Sequence, residues 1–317
     1  MKIQEKSLKD IKETLQQEKE FRDLTKWKFK HIPLGEMQHT YLISRGQKNY
    51  FLKELKTHEA QMEFFLCKCN LKHLPSSIYP NLLKHKILVR KFISGRMLRS
   101  KNIDLGLLRD FAMMRNTLNK KTFFDKHNIM GLKNYSQKDD GFYARELYSS
   151  FLKAPRILKA LQKYKLQEVT DFQNILSHLK KDKKAIIHDF VSMPFAKQHQ
   201  DFREDNIIVG TDGKQRLIDW GSSYGYNPFM YDVAPFLVHN PKALQKYVKI
   251  SNICKGKSQK VSGRWLYVAL VARFLDVITS RLHPSEGRTT TKEKCRKYLK
   301  YEYKTYKELI NNENKTG

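Results

Sequence analysis

Acidic residues are scarce in this chain: 32 Asp and Glu stand against 61 Lys and Arg, a formal charge of +29. The basic residues are mostly lysine and are scattered, as at Lys84, Lys86, Lys120, Lys121, Lys180, Lys181, Lys183, Lys184, Lys292, Lys294 and Lys297. Solvated helix faces account for such a distribution. The functional alternative is attraction to an anionic partner, whether a phosphorylated glycan, a lipid headgroup surface or nucleic acid. Cysteine is also rare. Cys67, Cys69, Cys254 and Cys295 include no C-x-x-C pair, so neither a zinc site nor a disulfide framework is expected, and a reducing cytoplasm is the expected location. Long apolar runs are missing as well. The longest, Trp265 to Ile278, is broken by Arg273 and Asp276 and is too short to span a bilayer. It reads as a buried helix, and no transmembrane segment is expected. Met1-Lys2-Ile3-Gln4-Glu5-Lys6 leads into a charged helix, unlike a secretory signal. There are no internal repeats and no low-complexity tracts. What remains is a globular chain, 40% hydrophobic and 12% aromatic over 317 residues, with length enough for two lobes.

The densest chemistry lies in His199-Gln200-Asp201-Phe202-Arg203-Glu204-Asp205-Asn206, followed by Leu217-Ile218-Asp219-Trp220. Read as H-x-D-x-x-x-x-N and then apolar-apolar-Asp, it supplies three polar groups that phosphoryl transfer needs. Asp201 can accept a substrate hydroxyl proton, while Asn206 and Asp219 offer hard oxygens to magnesium. Ile207-Ile208-Val209 and Arg216-Leu217-Ile218 are short β-type runs joined by Gly210-Thr211-Asp212-Gly213-Lys214, and Asp-Gly is a hairpin signal. Such a hairpin brings Asn206 beside Asp219.

At this point the chain resembles the aminoglycoside phosphotransferase and choline kinase-like family of small-molecule kinases. The resemblance runs through His199, Asp201, Arg203, Asp205 and Asn206, then Ile218-Asp219-Trp220-Gly221. It ends in Asn227-Pro228-Phe229-Met230-Tyr231-Asp232-Val233-Ala234, which is similar to the family's G-D-P-x-x-x-D-L-A with Asn227 in place of the acid. It implies an α+β, two-lobed protein-kinase-like fold: a small N-terminal antiparallel-sheet lobe and a larger, mainly helical C-terminal lobe. It also implies Asp201 as catalytic base, Asn206 and Asp219 as metal ligands, and Asp232 as a buried carboxylate bracing the catalytic loop.

The nucleotide's other contacts are expected in the N-terminal part. Tyr50-Phe51-Leu52-Lys53-Glu54-Leu55 alternates like a strand and carries Lys53 where a kinase keeps its phosphate-binding lysine. His58 to Leu66 reads as a helix. Glu59 matches the family's lysine-pairing glutamate, and Glu63, one turn on, competes for that role. Pro33 to Tyr41, the expected phosphate-covering loop, holds the single glycine Gly35. Ile87 to Gly95 suits a strand entering the crossover between lobes, where backbone groups near Arg90 to Phe92 are placed to bind adenine, with Ser94-Gly95 as the boundary. The expected lobes are therefore 1–93 and 94–317. An extra helix at about 5–25 carries Leu8, Ile11 and Leu15 on one face, with Ser7 and Asp10 as its cap. Beyond residue 100 helical spacing dominates. Leu107, Leu108, Phe111, Met114 and Leu118 form one apolar stripe, and Phe172, Ile175, Leu176 and Leu179 another. The aromatic stretch with Tyr135, Phe142, Tyr143, Tyr148, Phe151 and Tyr164 carries no motif and is expected mainly to pack.

The expectation is an ATP- and Mg2+-dependent phosphotransferase acting on a hydroxyl of a small molecule or glycan, with Arg203 steadying an anion or pairing with Glu204 or Asp205. A protein kinase is disfavoured because Gln200 replaces the arginine that regulated kinases carry and no Ala-Pro-Glu follows Asp219. The net charge repels a polycationic acceptor at long range, unless Asp139, Asp140 and Glu146 form a local acidic patch. The rival reading is a non-catalytic kinase-like module whose basic face binds RNA or an anionic membrane.

Overall fold

The computed structural model describes residues 7–32, 39–118, 140–222, 226–238, 240–251, 259–282, 291–307 and 309. By packing, the chain falls into two units: Met1–Ser136 with His199–Gly225, and Gln137–Gln198 with Tyr226–Gly317.

The first unit is built on a four-stranded antiparallel sheet in the order β1 (Lys28–His31), β2 (Thr40–Arg45), β3 (Lys48–Glu54), β4 (Ile87–Lys91). Period-2 alternation gives this sheet two apolar faces. Tyr41, Ile43, Tyr50, Leu52, Ile87 and Val89 form one core with Ile11, Leu15, Phe21 and Trp27 from the N-terminal segment. Leu88 and Phe51, on the opposite face, pack with Leu55, Ala60 and Phe64 of the helix α2 (Thr57–Cys69) and its approach. The N-terminal helix α1 (Leu8–Leu15) is closed by a reciprocal bond between Ser7 and Asp10, the expected cap. It is shorter than the expected 5–25, because two single 3-10 turns, Lys19–Phe21 and Leu24–Lys26, carry the chain onward. Glu20 in the first of these accepts from Lys48, Tyr50 and Tyr79, tying the segment to the sheet.

A second sheet in this unit joins β5 (Gly95–Met97), β7 (Ile207–Gly210) and β8 (Gln215–Leu217), all antiparallel. The helix α3 (Leu105–Leu118) lays Phe111 against Phe202 and Trp220, at ring separations of 4.8 and 6.5 Å. Residues 94–118 and 199–222 thus pack with the first sheet, whereas a boundary at 93/94 assigns them to the second lobe. The cause is strand pairing at long sequence separation, since β5 finds its partner more than 100 residues on.

The second unit is mainly helical: α4 (Asp140–Leu161), α5 (Gln167–Leu179), α6 (Lys183–Ser192), α7 (Ala234–Leu237), α8 (Pro241–Ile250), α9 (Gln259–Asp276) and α10 (Lys292–Tyr306). A two-stranded ribbon joins β6 (Phe195–Lys197) to β9 (Tyr226–Pro228). One turn of π-helix, Val277–Arg281, follows α9. Phe172 meets Phe274 at 5.1 Å, and Phe274 meets Tyr306 at 5.3 Å. The expected buried stripe of α5 and the buried run from Trp265 to Ile278 are both present. Asp232 is fully buried among charges that include Arg273, whose guanidinium lies 4.9 Å from the Tyr231 ring. Of the aromatic stretch, Phe151 is buried in α4 and Tyr148 is exposed beneath Lys183; Tyr135 and the side chains of Phe142 and Tyr143 lie outside the described residues. No helix of the described residues is long and apolar enough to cross a membrane. The architecture is the expected α+β one, with a four-stranded antiparallel sheet and a mainly helical remainder.

Candidate active site

The hairpin forms as its sequence dictates. Ile207 faces Leu217, Ile208 faces Arg216 and Val209 faces Gln215, and Gly213 turns the chain at φ +74°, a conformation that glycine adopts without steric cost. The register continues one pair further, with the Ile218 amide donating to the Asn206 carbonyl at 2.9 Å. Asn206 therefore lies beside the residue that precedes Asp219. His199, fully buried, bonds through Nε2 to the Ile218 carbonyl at 2.9 Å and lies 4.5 Å from the Trp220 ring. Its work is to hold the base of the hairpin.

Asn206 donates from Nδ2 to both the carbonyl and the carboxylate Oδ2 of Asp201, each at 2.8 Å. Asp201 is thereby held by the amide five residues on, whose oxygen end is a hard acceptor. Arg203 answers the choice left open by its sequence. It pairs with neither Glu204 nor Asp205; its Nε lies 3.1 Å from Asp201 Oδ1. Glu204 is instead bridged by Lys101 at 2.7 Å. Two residues of the site have left-handed backbones, Gln200 at φ +65° and Asp219 at +62°. Non-glycine residues hold such conformations only where the surroundings over-determine them, and such residues cluster at functional sites.

β3 brings Lys53 to the same point. Its ammonium lies 2.6 Å from Glu59 Oε1 and 2.8 Å from Asp219 Oδ1. Lys53 and Glu59 are nearly sealed from solvent, at 6% and 1% side-chain exposure, while Asp219 is 44% exposed. Burial works against the Lys53 charge, but Glu59 and Asp219 outweigh it and hold the ammonium above its usual value. Burial likewise pushes Asp219 up, and Lys53 more than reverses this, leaving the carboxyl below its ordinary range. Glu63, the competitor for Lys53, points elsewhere. It is buried 3.9 Å from Arg90, and desolvation pushes its carboxyl up to about 7.

The remaining expected residues fare differently. Gly35 lies outside the described residues. Arg90 is buried over the Phe51 ring, 5.1 Å from its centre, so its side chain is committed to packing and to Glu63. The Phe92 amide is spent on the Asn49 carbonyl at 3.0 Å, and the Phe92 ring is exposed. Phe51 stands two residues before Lys53 on β3. The strand period puts both on one sheet face, with Leu42 opposite Phe51 on β2. That period was the signal that an apolar surface adjoins the lysine.

The donor set suits magnesium. No group of three or more His, Cys, Asp or Glu among the described residues could hold a metal ion by itself. Magnesium does not need such a cage, since it is bound through one or two carboxylates together with substrate phosphates. The half-exposed Asp219 carboxylate and the Asn206 amide oxygen, which the hairpin sets one residue apart in register, are donors of that kind.

Residues 127–248 match the profile of a family described as the phosphotransferase enzyme family, a span that contains Asp201, Asn206, Asp219 and Asp232. No protein of curated function matches the sequence. Among solved structures, a spectinomycin phosphotransferase in complex with ADP and spectinomycin is 16% identical; the match covers 87% of this chain and 89% of that one, with a TM-score of 0.55. Its AMP-bound complex is 18% identical over 83% and 87%, at 0.53. An aminoglycoside phosphotransferase from Alicyclobacillus acidocaldarius is 10% identical over 91% and 93%, at 0.51. Profile and fold both agree with the resemblance read from the motifs.

Proposed function

We propose that this chain is an ATP- and Mg2+-dependent kinase that transfers the γ-phosphate to a hydroxyl of a small molecule or glycan. One observation carries the reading: Lys53, from a strand, and Asp219, from a turn 166 residues later, meet at 2.8 Å beside Glu59. A cation buried between two carboxylates is costly to assemble for stability alone. It is a sound way to hold a lysine extended toward phosphates. The spectinomycin enzyme of similar fold was crystallised with ADP, which supports a nucleotide as the donor.

In this reading each residue has one task. Lys53, kept straight by Glu59, binds the nucleotide phosphates. Asn206 and Asp219 hold magnesium, which when bound supplies positive charge against the phosphates. Asp201, clamped by Asn206, orients the acceptor hydroxyl and takes its proton as the new phosphate ester forms. Arg203 keeps the Asp201 carboxylate in place from its other oxygen. Such catalysis is mostly positioning and electrostatics.

The experiment is a panel of alcohols, including aminoglycosides, choline, ethanolamine, homoserine and envelope sugars, screened for stimulated ATP turnover. With the accepted alcohol, Asp201→Ala should lose about 10²–10⁴-fold in turnover, the usual worth of a positioned general base, while nucleotide binding persists. An Asp201→Ala protein that turns over at the wild-type rate would remove the proposed base.

A further inference from the structure

The first turn of α2 carries two consecutive polar residues, and both reach the segment that holds Asp219. Glu59 does so through Lys53, whose ammonium touches Asp219 Oδ1. His58 does so directly, bonding through Nε2 to the Gly221 carbonyl at 2.6 Å. The two contacts grip the aspartate at different points: one holds its carboxylate, the other the backbone two residues on. Between them Asp219 keeps φ +62°, a conformation that needs external support in a residue with a side chain. Gly221 permits the approach. A Cβ there would lie 3.3 Å from Asp219 Oδ1, close enough to press on that carboxylate, and 3.7 Å from Glu59 Oε2, an ordinary contact.

We propose that His58 is a positioning residue of this site, which fixes the Asp219 backbone through the Gly221 carbonyl so that its carboxylate stays where magnesium is to be held. The inference rests on the kinase reading above. It gives α2 a double function, since a shift of the helix releases both Lys53 and the Gly221 carbonyl at once. A donor at position 58 is what matters, because the acceptor is a main-chain carbonyl that no substitution removes. His58 is only half-buried, so replacing it leaves the core of α2 intact.

The test compares wild type, His58→Ala and His58→Gln as full chains, measuring thermal stabilisation by a non-hydrolysable ATP analogue across a magnesium titration. Outer partners that orient metal ligands typically matter about 10–100-fold in metal affinity. His58→Ala should therefore raise the half-saturating magnesium about 10-fold, leave stabilisation by the analogue without magnesium unchanged, and be largely rescued in His58→Gln. The role is overturned if the His58→Ala titration superimposes on wild type. It is equally overturned if both variants weaken magnesium-free and magnesium-loaded binding alike, as a scaffold residue would. A wild-type chain whose analogue binding ignores magnesium altogether brings down the kinase reading itself, and this role with it.

Discussion

Glu63 is a carboxylate that the fold has pushed out of its ordinary range, and its neighbours explain how. It is buried on α2, one turn from Glu59, and Arg90 at 3.9 Å only partly offsets that burial. Desolvation dominates and lifts its carboxyl from about 4.5 to about 7. Between those values the native chain holds a proton that the unfolded chain has lost. This contribution to stability is therefore complete below about 4.5 and is lost as pH rises through about 7, by proton linkage. Glu63→Gln should move the melting temperature upward relative to wild type as pH goes from 5 to 8, by on the order of a few degrees. A melting difference that stays flat across that range would show the carboxyl to be ordinary. Glu59 is just as buried, yet it has the Lys53 ammonium at 2.6 Å. One helical turn separates a carboxylate held at 2.6 Å by Lys53 from one whose nearest cation, Arg90, stands at 3.9 Å.

At the scale of elements, α1 is part of the first unit's core. Ile11 and Leu15 are fully buried against the sheet face made by Tyr41, Ile43, Tyr50 and Leu52. Ile11→Ala should cost about 2–5 kcal/mol, the range for deleting buried aliphatic groups, read from denaturant unfolding; a cost below about 0.5 kcal/mol would mean a surface appendage. The helix was legible because Ser7, Asp10 and the Leu8-Ile11-Leu15 spacing are local signals. The hairpin was legible for the same reason: alternation and an Asp-Gly turn fix its register, and the register sets Asn206 beside Ile218, next to Asp219. Lys53 and Glu59 were also within reach, from a strand followed by a helix. The rest depends on contacts at long separation. Nothing local shows that Arg203 turns back onto Asp201, that His58 reaches Gly221, or that β5 pairs with β7 and draws 94–118 into the first unit. The hydrogen bond of the Phe92 amide is likewise made to a residue on another strand.

At the scale of the whole molecule, the charge of +29 bears, for the proposed kinase, on which acceptors arrive as well as on how they are bound. Fields of this size act over a Debye length, roughly 10 Å at 0.1 M salt, and they steer charged ligands in an ionic-strength-dependent way. Raising salt from about 50 to 300 mM should lower KM for a cationic acceptor and raise it for an anionic one. An unchanged KM for both would mean that the lysines lie on faces remote from the route of entry. The central claim is narrower than substrate choice: Lys53, Asn206 and Asp219 form one magnesium-nucleotide site. Isothermal titration of a non-hydrolysable ATP analogue, with and without Mg2+, tests it in wild type and Asp219→Asn. Binding that Mg2+ tightens in wild type, with a magnesium increment that vanishes in the variant, is expected; nucleotide affinity indifferent to both Mg2+ and Asp219 would contradict a shared site.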